Sequence, residues 1–244
     1  EDTDELQERT AIRFRAGYGS IFGDGNLVEA DICQHCLQEV FGKYLRITED
    51  DPFDPQHIVL PVTDAGIFHS RNGGRTWLHD LQGVPREWIN TCYWMVFDPA
   101  VEGRAWSAWS AMHDLPRLKM FREEFFARDR GGICKTEDSL QTWQPSAQGL
   151  PERALCTHLV LDPNSPAGLR TLYAAVFNGG VYKSTNDGKM WFLKNNGIDP
   201  RNPFAWRLAL TPEGTLYLVV VKNRLPGRAF AGAISRSVDG AETW

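Results

Sequence analysis

A chain of 244 residues is long enough for a substantial core in one or two domains. Its 22 glycines, 14 prolines and 9 tryptophans lie among many short apolar runs, which is the composition of an all-β protein. The net charge of −5 excludes the basic surplus of a nucleic-acid binder, and no apolar run approaches the ~18 residues of a membrane-spanning helix.

Charge is unevenly placed. Residues 1–50 hold 5 Lys/Arg against 11 Asp/Glu, a net −6, and the rest of the chain is net +1, which puts a domain boundary near residue 50. In that first segment AIRFRAGYGS and NLVEADI read as two strands around a Gly-rich turn. A helix, CLQEVFGKYLRI, follows with Leu37, Val40, Phe41, Tyr44 and Leu45 on one face. The segment is thus a small α+β (ββα) appendage. Cys33-Gln34-His35-Cys36 sits at the strand-to-helix junction, where a Cys-x-x-Cys is half a zinc site, a redox pair or two packed cysteines. No second pair follows at zinc spacing, so packing is favoured and Cys33 and Cys36 are weak metal candidates. Five cysteines without regular spacing make no disulfide framework. The chain starts at Glu1 without Met, the mark of a removed leader or of a fragment.

From residue 51 onward the chain repeats itself. Ser70–Trp77 (SRNGGRTW), Thr136–Trp143 (TEDSLQTW), Ser184–Trp191 (STNDGKMW) and Ser237–Trp244 (SVDGAETW) share the plan Ser/Thr-x-Asp/Asn-x-x-x-Thr-Trp, with Met190 in place of one Thr. Their tryptophans lie 66, 48 and 53 residues apart. Asp54-Pro55, Asp98-Pro99, Asp162-Pro163 and Thr211-Pro212 recur in phase, each before a β-rich run. Gly66-Ile67-Phe68, Gly132-Ile133-Cys134, Gly180-Val181-Tyr182 and Ala233-Ile234-Ser235 lead into the octamers. One unit reads as four antiparallel strands, the form of a propeller blade, with the octamer turning the chain between the third and fourth. Its Asp or Asn bonds backbone N–H groups across the turn, Gly supplies positive φ, and Trp packs between sheets. The octamers are therefore structural.

These octamers resemble the Asp-box (bacterial neuraminidase) repeats of sialidases, of xyloglucan-type endoglucanases and of sortilin-like receptors. Over residues 51–244, DPFDPQHIVLPVTDAGIFHS, GVPREWINTCYWMVFDP, SAMHDLPRLKMF, GVYKSTNDGKMW and NPFAWRLAL resemble secreted bacterial sialidase-like or glycosyl-hydrolase repeat proteins. The resemblance implies an all-β fold of Asp-box β-propeller blades, about four and incomplete. It also implies an extracellular or periplasmic location, and a carbohydrate or glycoconjugate as partner, with no cofactor. The Arg-Ile-Pro motif of sialidases is absent, which points away from true sialidase action. The endoglucanases carry a catalytic Asp in Thr-Asp-x-Gly-Gly before an early box; Thr63-Asp64-Ala65-Gly66 is similar but lacks the second Gly.

Candidate site residues follow from the loops. Asp64 ends a second strand near the expected channel mouth, as a general base or as a turn aspartate bonded to its own backbone. The insertion Met112–Arg130 starts with His113-Asp114, suited to proton transfer or substrate orientation, and continues through Arg117, Lys119, Arg122, Glu123 and Glu124. Arg86, Glu87 and Trp88 form a polar-aromatic cluster suited to a sugar, or a packed Trp with solvated neighbours. Trp106, Trp109 and Trp206 are expected between blades. The second-strand position of Asp64 and of the His113–Asp114 pair puts both on one face. A glycoside hydrolase-like enzyme and a non-catalytic protein- or glycan-binding scaffold both remain open. A carboxylate pair ~5–10 Å apart at the channel mouth favours the first and an aromatic platform alone the second. An open arc of blades is expected; the alternative is a ring in which AIRFRAGYGS supplies the last strand.

Overall fold

The computed structural model describes residues 9–16, 20–33, 39–40, 57–79, 81–117, 129–225 and 228–244. The chain divides into two units, Glu1–Phe53 and Asp54–Trp244. In the first, β1 (Arg9–Arg15) and β2 (Leu27–Cys33) form an antiparallel pair, with Arg9 opposite Cys33 and Arg15 opposite Leu27. The sheet has two strands, so the segment offered above as the last strand of a ring is one arm of a hairpin. Residues 39–40 are helical; the rest of the expected helix, and Cys36 with it, lies outside the described residues.

The second unit is a succession of antiparallel sheets in chain order. The first holds β3 (Ile58–Val62) and β4 (Gly66–Ser70), followed by a bridge from His69 to Leu78. The second is β5 (Thr91–Phe97), β6 (Ala105–Ser110), β7 (Gly131–Thr136) and β8 (Gln144–Pro145), in that order across the sheet. The third repeats it with β9 (Cys156–Leu161), β10 (Leu172–Val176), β11 (Gly180–Ser184) and β12 (Phe192–Leu193). The last has β13 (Ala205–Leu210), β14 (Leu216–Val220) and β17 (Ala233–Ser237). A small hairpin, β15 (Asn223–Leu225) and β16 (Arg228–Phe230), is inserted between its second and third strands. The 111–130 segment enters the second sheet at the same place; its residues 118–128, with Lys119, Arg122, Glu123 and Glu124, lie outside the described residues.

Three octamers follow the third strand of their sheet, and the first follows β4, the second of the two described strands of its sheet. The Asp or Asn of each octamer closes the turn. Asp138 Oδ1 accepts the Thr142 N–H at 2.9 Å and the Thr136 hydroxyl at 2.8 Å. Asn72, Asn186 and Asp239 repeat that backbone bond from Thr76, Met190 and Thr243. Positions four and five of every octamer are left-handed, including Ser139, Leu140, Asp187 and Ala241, so two glycine-like positions are held here without glycine.

Neighbouring sheets are then locked by a second repeated device. The Trp143, Trp191 and Trp244 N–H groups donate to Gln82 O, Gln148 O and Asn196 O at 2.8, 2.9 and 2.9 Å. Each acceptor lies in the connection leaving the preceding sheet, and a glycine follows it: Gly83, Gly149 and Gly197, at φ 92, 91 and 98°. A Cβ on these glycines would stand 1.9, 2.2 and 2.3 Å from the tryptophan carbonyl oxygen. Only glycine allows both the backbone angle and the approach.

The core runs between sheets. Trp109, Trp143, Cys134 and Ile67 fill the first interface; Trp106, Ile133, Leu159, Leu172 and Trp191 the second; Tyr173, Val181, Leu216, Leu218 and Ala241 the third. Trp106 and Trp109 are fully buried, as expected between blades. Trp206, near the start of β13, also packs between blades, against Tyr93, Leu155, Phe177 and Phe204, while staying partly exposed. Cys92, Cys134 and Cys156 are buried free thiols, and burial pushes each of them up from the ordinary thiol range.

Candidate functional site

The connections from second to third strand, Thr63–Ala65, 111–130, Phe177–Gly179 and 221–232, all leave the sheets at the end where each first strand begins. Two of them carry Asp64 and His113–Asp114. The Asp64 turn is pinned from both sides. Asp64 N–H donates to Thr91 Oγ1 at 3.2 Å and Asn90 Nδ2 donates to Asp64 O at 3.2 Å, while His79 Nε2 donates to Ala65 O at 2.6 Å. Asp64 has φ 70°, Asp114 φ 66°, both in the left-handed region that Asp tolerates.

The structure brings Asp64, His113, Asp114 and Arg117 together. His113 Nδ1 lies 3.3 Å from Asp64 Oδ1, and His113 Nε2 lies 3.8 Å from Asp114 Oδ2. Arg117 Nη1 donates to Asp114 Oδ2 at 2.9 Å. Two carboxylates thus flank one imidazole. Asp64 takes no part in an internal turn bond: its described partner is His113, and its side chain is more than half exposed. The corresponding residue of the third sheet, Asn178, is spent on structure, receiving the Leu155 N–H at 3.1 Å and donating to Arg153 O at 2.8 Å.

Arg86, Glu87 and Trp88 form a single 3-10 turn before β5. The Trp88 ring covers Gly132, where a Cβ would meet it at 2.4 Å, so this indole is engaged in packing. Arg86 and Glu87 are exposed on the same turn. No described contact joins this trio to Asp64 or His113.

Beside the acidic cluster lies a second group, whose members other than Trp206 carry no motif of their own. Each first strand carries a bulge at the same position: the register skips at Tyr93 in β5, at Thr157 in β9 and at Trp206 in β13. A bulge adds one residue to a strand and re-aims side chains. Here it gathers the bulged residues and their successors, Trp94, His158 and Arg207. Tyr93 and Trp206 meet edge-on at 5.7 Å between centroids, and Thr157 Oγ1 donates to Trp206 O at 3.1 Å. Trp94 and His158 lie 4.3 Å apart, and the Arg207 guanidinium lies over Trp94 at 5.6 Å and Trp206 at 4.2 Å. The sequence signal was present: Cys92-Tyr93-Trp94, Cys156-Thr157-His158 and Ala205-Trp206-Arg207 occupy equivalent places in three successive repeats.

The two groups are joined through Tyr93. Its hydroxyl donates to Met112 O and accepts the Leu115 N–H, both at 3.1 Å, which fixes the turn bearing His113 and Asp114. Burial, with the negative charges of Asp114 and Asp64 adding to it, raises this phenol to about 12, so it remains a neutral donor. His158 is pushed down to about 3 by burial and then by Arg207; its Nδ1 accepts the Leu208 N–H at 3.3 Å, as a neutral ring must. Below them a concavity of about 800 Å³ runs between the first strands from Trp94, His158 and Leu208 to Pro99, Pro163 and Pro212. Among the described residues no cluster of three or more His, Cys, Asp or Glu is arranged to hold a metal, and no helix is long and apolar enough to cross a membrane.

The chain is similar to solved structures of GH74 enzymes. With the GH74 enzyme of Niastella koreensis the TM-score is 0.52 at 18% identity, over 79% of this chain and 26% of that one. With an ancestral GH74 enzyme it is 0.56 at 21% identity, over 76% of this chain and 23% of that one. The fold is that of a β-propeller. The successive sheets are its blades, their first strands line the concavity, and the loop end bears Asp64, His113 and Arg207. The chain spans about a quarter of the length of each of these propellers. No protein-family model matches the chain, and no curated protein matches it.

Proposed function

We propose that this is a glycan-directed propeller of the Asp-box kind, glycoside hydrolase-like, working outside the cytoplasm. One observation carries the reading: Asp64 and Asp114 flank His113 at the loop end of the sheets, where Trp94 and His158 line a concavity and Trp206 lies under Arg207. Indole faces stack on sugar rings, and an exposed carboxylate beside an imidazole is the equipment for taking a proton from water. In this reading Asp64 is the general base, His113 relays or orients, and Asp114, with Arg117 and Tyr93, positions His113. The similarity to GH74 enzymes agrees with a carbohydrate partner.

The test is a panel of polysaccharides and oligosaccharides offered to the protein, with binding and reducing-end release both read out. Asp64→Asn is expected to lower turnover by at least ~100-fold, the scale of a general base. Binding and melting temperature should stay unchanged, since Asn already occupies the equivalent turn at 178. Turnover equal to wild type would remove Asp64 from the chemistry. A second reading, binding without hydrolysis, draws on one feature: Asp114 is ion-paired to Arg117, and such a carboxylate accepts hydrogen bonds and has no proton to give a leaving group. Binding without release by wild type and Asp64→Asn alike would select it.

A further inference from the structure

We infer that the site selects a sugar bearing a negatively charged group, and that Arg207 is the residue that reads it; this rests on the glycan reading above. Arg207 is half-buried, and its hydrogen bonds among the described residues run from Nη1 alone, to Thr157 O and Trp206 O. Neither bond is to a carboxylate. Nε and Nη2, the edge that meets a planar carboxylate with two parallel N–H groups, are unpaired among the described residues, and neither atom is sealed from solvent. Among the described residues Arg104 has Asp98, Asp187 and Glu137, Arg130 has Glu152, and Arg170 has Asp98, whereas Arg207 has no carboxylate partner. Leaving a cation desolvated without a counter-ion is costly, and the observed setting lowers its proton affinity by that same burial.

The indoles explain how the charge is held in place. Trp94 and Trp206 carry the guanidinium by cation–π contact and hold it beside the concavity that Trp94, His158 and Leu208 line. A sugar lying on the same indoles presents its acid substituent to Nε and Nη2, with its neighbouring linkage on the side of His113 and Asp64. The chain as a whole is net −5, so this preference does not come from general charge. Carboxylate and sulfate ester share the chemistry; the planar edge favours carboxylate.

The experiment compares three probes on the whole chain: tetragalacturonate, its fully methyl-esterified form, and a sulfated neutral tetrasaccharide. The unmodified protein should bind the acid about tenfold or more tightly than the ester, the scale of a charged hydrogen bond. The difference should shrink with added salt. Arg207→Lys keeps the charge, loses the paired N–H edge, and should remove most of the acid's advantage while leaving the ester's affinity alone. Sulfated sugar bound as tightly as the acid supports a charge-reading site without preference for the planar group. Equal binding of acid and ester by the unmodified protein overturns the inference and leaves the glycan reading standing. Failure of all three probes, with neutral polysaccharides failing too, overturns both.

Discussion

His158 shows how position turns an ordinary residue into a sensor. It is buried at the centre of the first strands, stacked against Trp94, with its Nδ1 accepting a backbone N–H from the next blade. Its folded value near 3 lies below the ordinary 6.5, so the unfolded chain takes up a proton that the folded chain refuses. Stability from this group is therefore fully present above about pH 6.5 and is lost as pH falls toward 3. Between pH 7 and pH 5 the wild type should lose up to about 2 kcal/mol more than His158→Gln, whose amide oxygen can still accept the Leu208 N–H. Urea denaturation at the two pH values reads this directly; identical losses would show that His158 is protonated in the fold. The same scale explains the octamers. Burial alone would raise Asp138, but bonds from Thr142 and Thr136 outweigh it and hold the carboxylate below its usual range.

At the scale of elements, the decisive contact is between a glycine and a tryptophan carbonyl in the next blade. Gly149 is left-handed at φ 91°, and a Cβ would stand 2.2 Å from Trp191 O. Gly149→Ala is expected to cost about 2–4 kcal/mol, from a left-handed alanine together with a forced separation of two blades. Gly214 supplies the control, at φ 88° with nothing within 4 Å of its Cβ position. Gly214→Ala should cost only the backbone term, about 1–2 kcal/mol. Equal losses for the two variants in chemical denaturation would mean that the lock between blades adds nothing. This repeated Gln/Asn-Gly element stands in the sequence after each of the first three octamers. It carries no distinctive signature by itself, because a Gly after a polar residue marks any turn; the partner carbonyl is what makes it specific.

At the scale of the whole propeller, the blades are tied at the end opposite the site by a buried ion pair. Arg170 Nη2 and Nε donate to Asp98 Oδ1 and Oδ2 at 2.6 and 3.0 Å, between residues 72 positions apart. Arg104 and Asp187 extend the pair into a network with Lys135 and Glu137. Arg170→Met leaves the buried Asp98 with only the longer pairing to Arg104, at 3.5 Å, and should destabilise by up to about 3–5 kcal/mol; adding Asp98→Leu should recover part of that loss. Thermal unfolding of the single and double variants checks both, and a double variant no better than the single would assign the effect to packing. The arrangement separates duties: charge neutralised in the interior at one end of the blades, open charge and aromatic faces at the other.

The amino-acid sequence alone determined the blades. Octamers, Asp-Pro turns and Gly-aromatic leads recur in phase because each serves a local hydrogen-bonding need within one unit, and local needs are written in adjacent residues. It also set Asp64 and His113–Asp114 at the same end, since both follow second strands. Tertiary structure alone decided which side chains meet there. Asp64, His113 and Arg117 come from two blades, and Tyr93, His158 and Arg207 from three first strands, each aimed by a bulge whose extra residue has no mark in composition. Trp206 packs between blades as its place in the repeat implied, but packing alone decided that the bulge in β13 also sets it against Arg207, and that Trp88, open between a sugar face and a packed ring, lies over Gly132. A repeat specifies its own unit through neighbours in the chain; a site built from several units depends on how their first strands converge, which is fixed by packing between sheets.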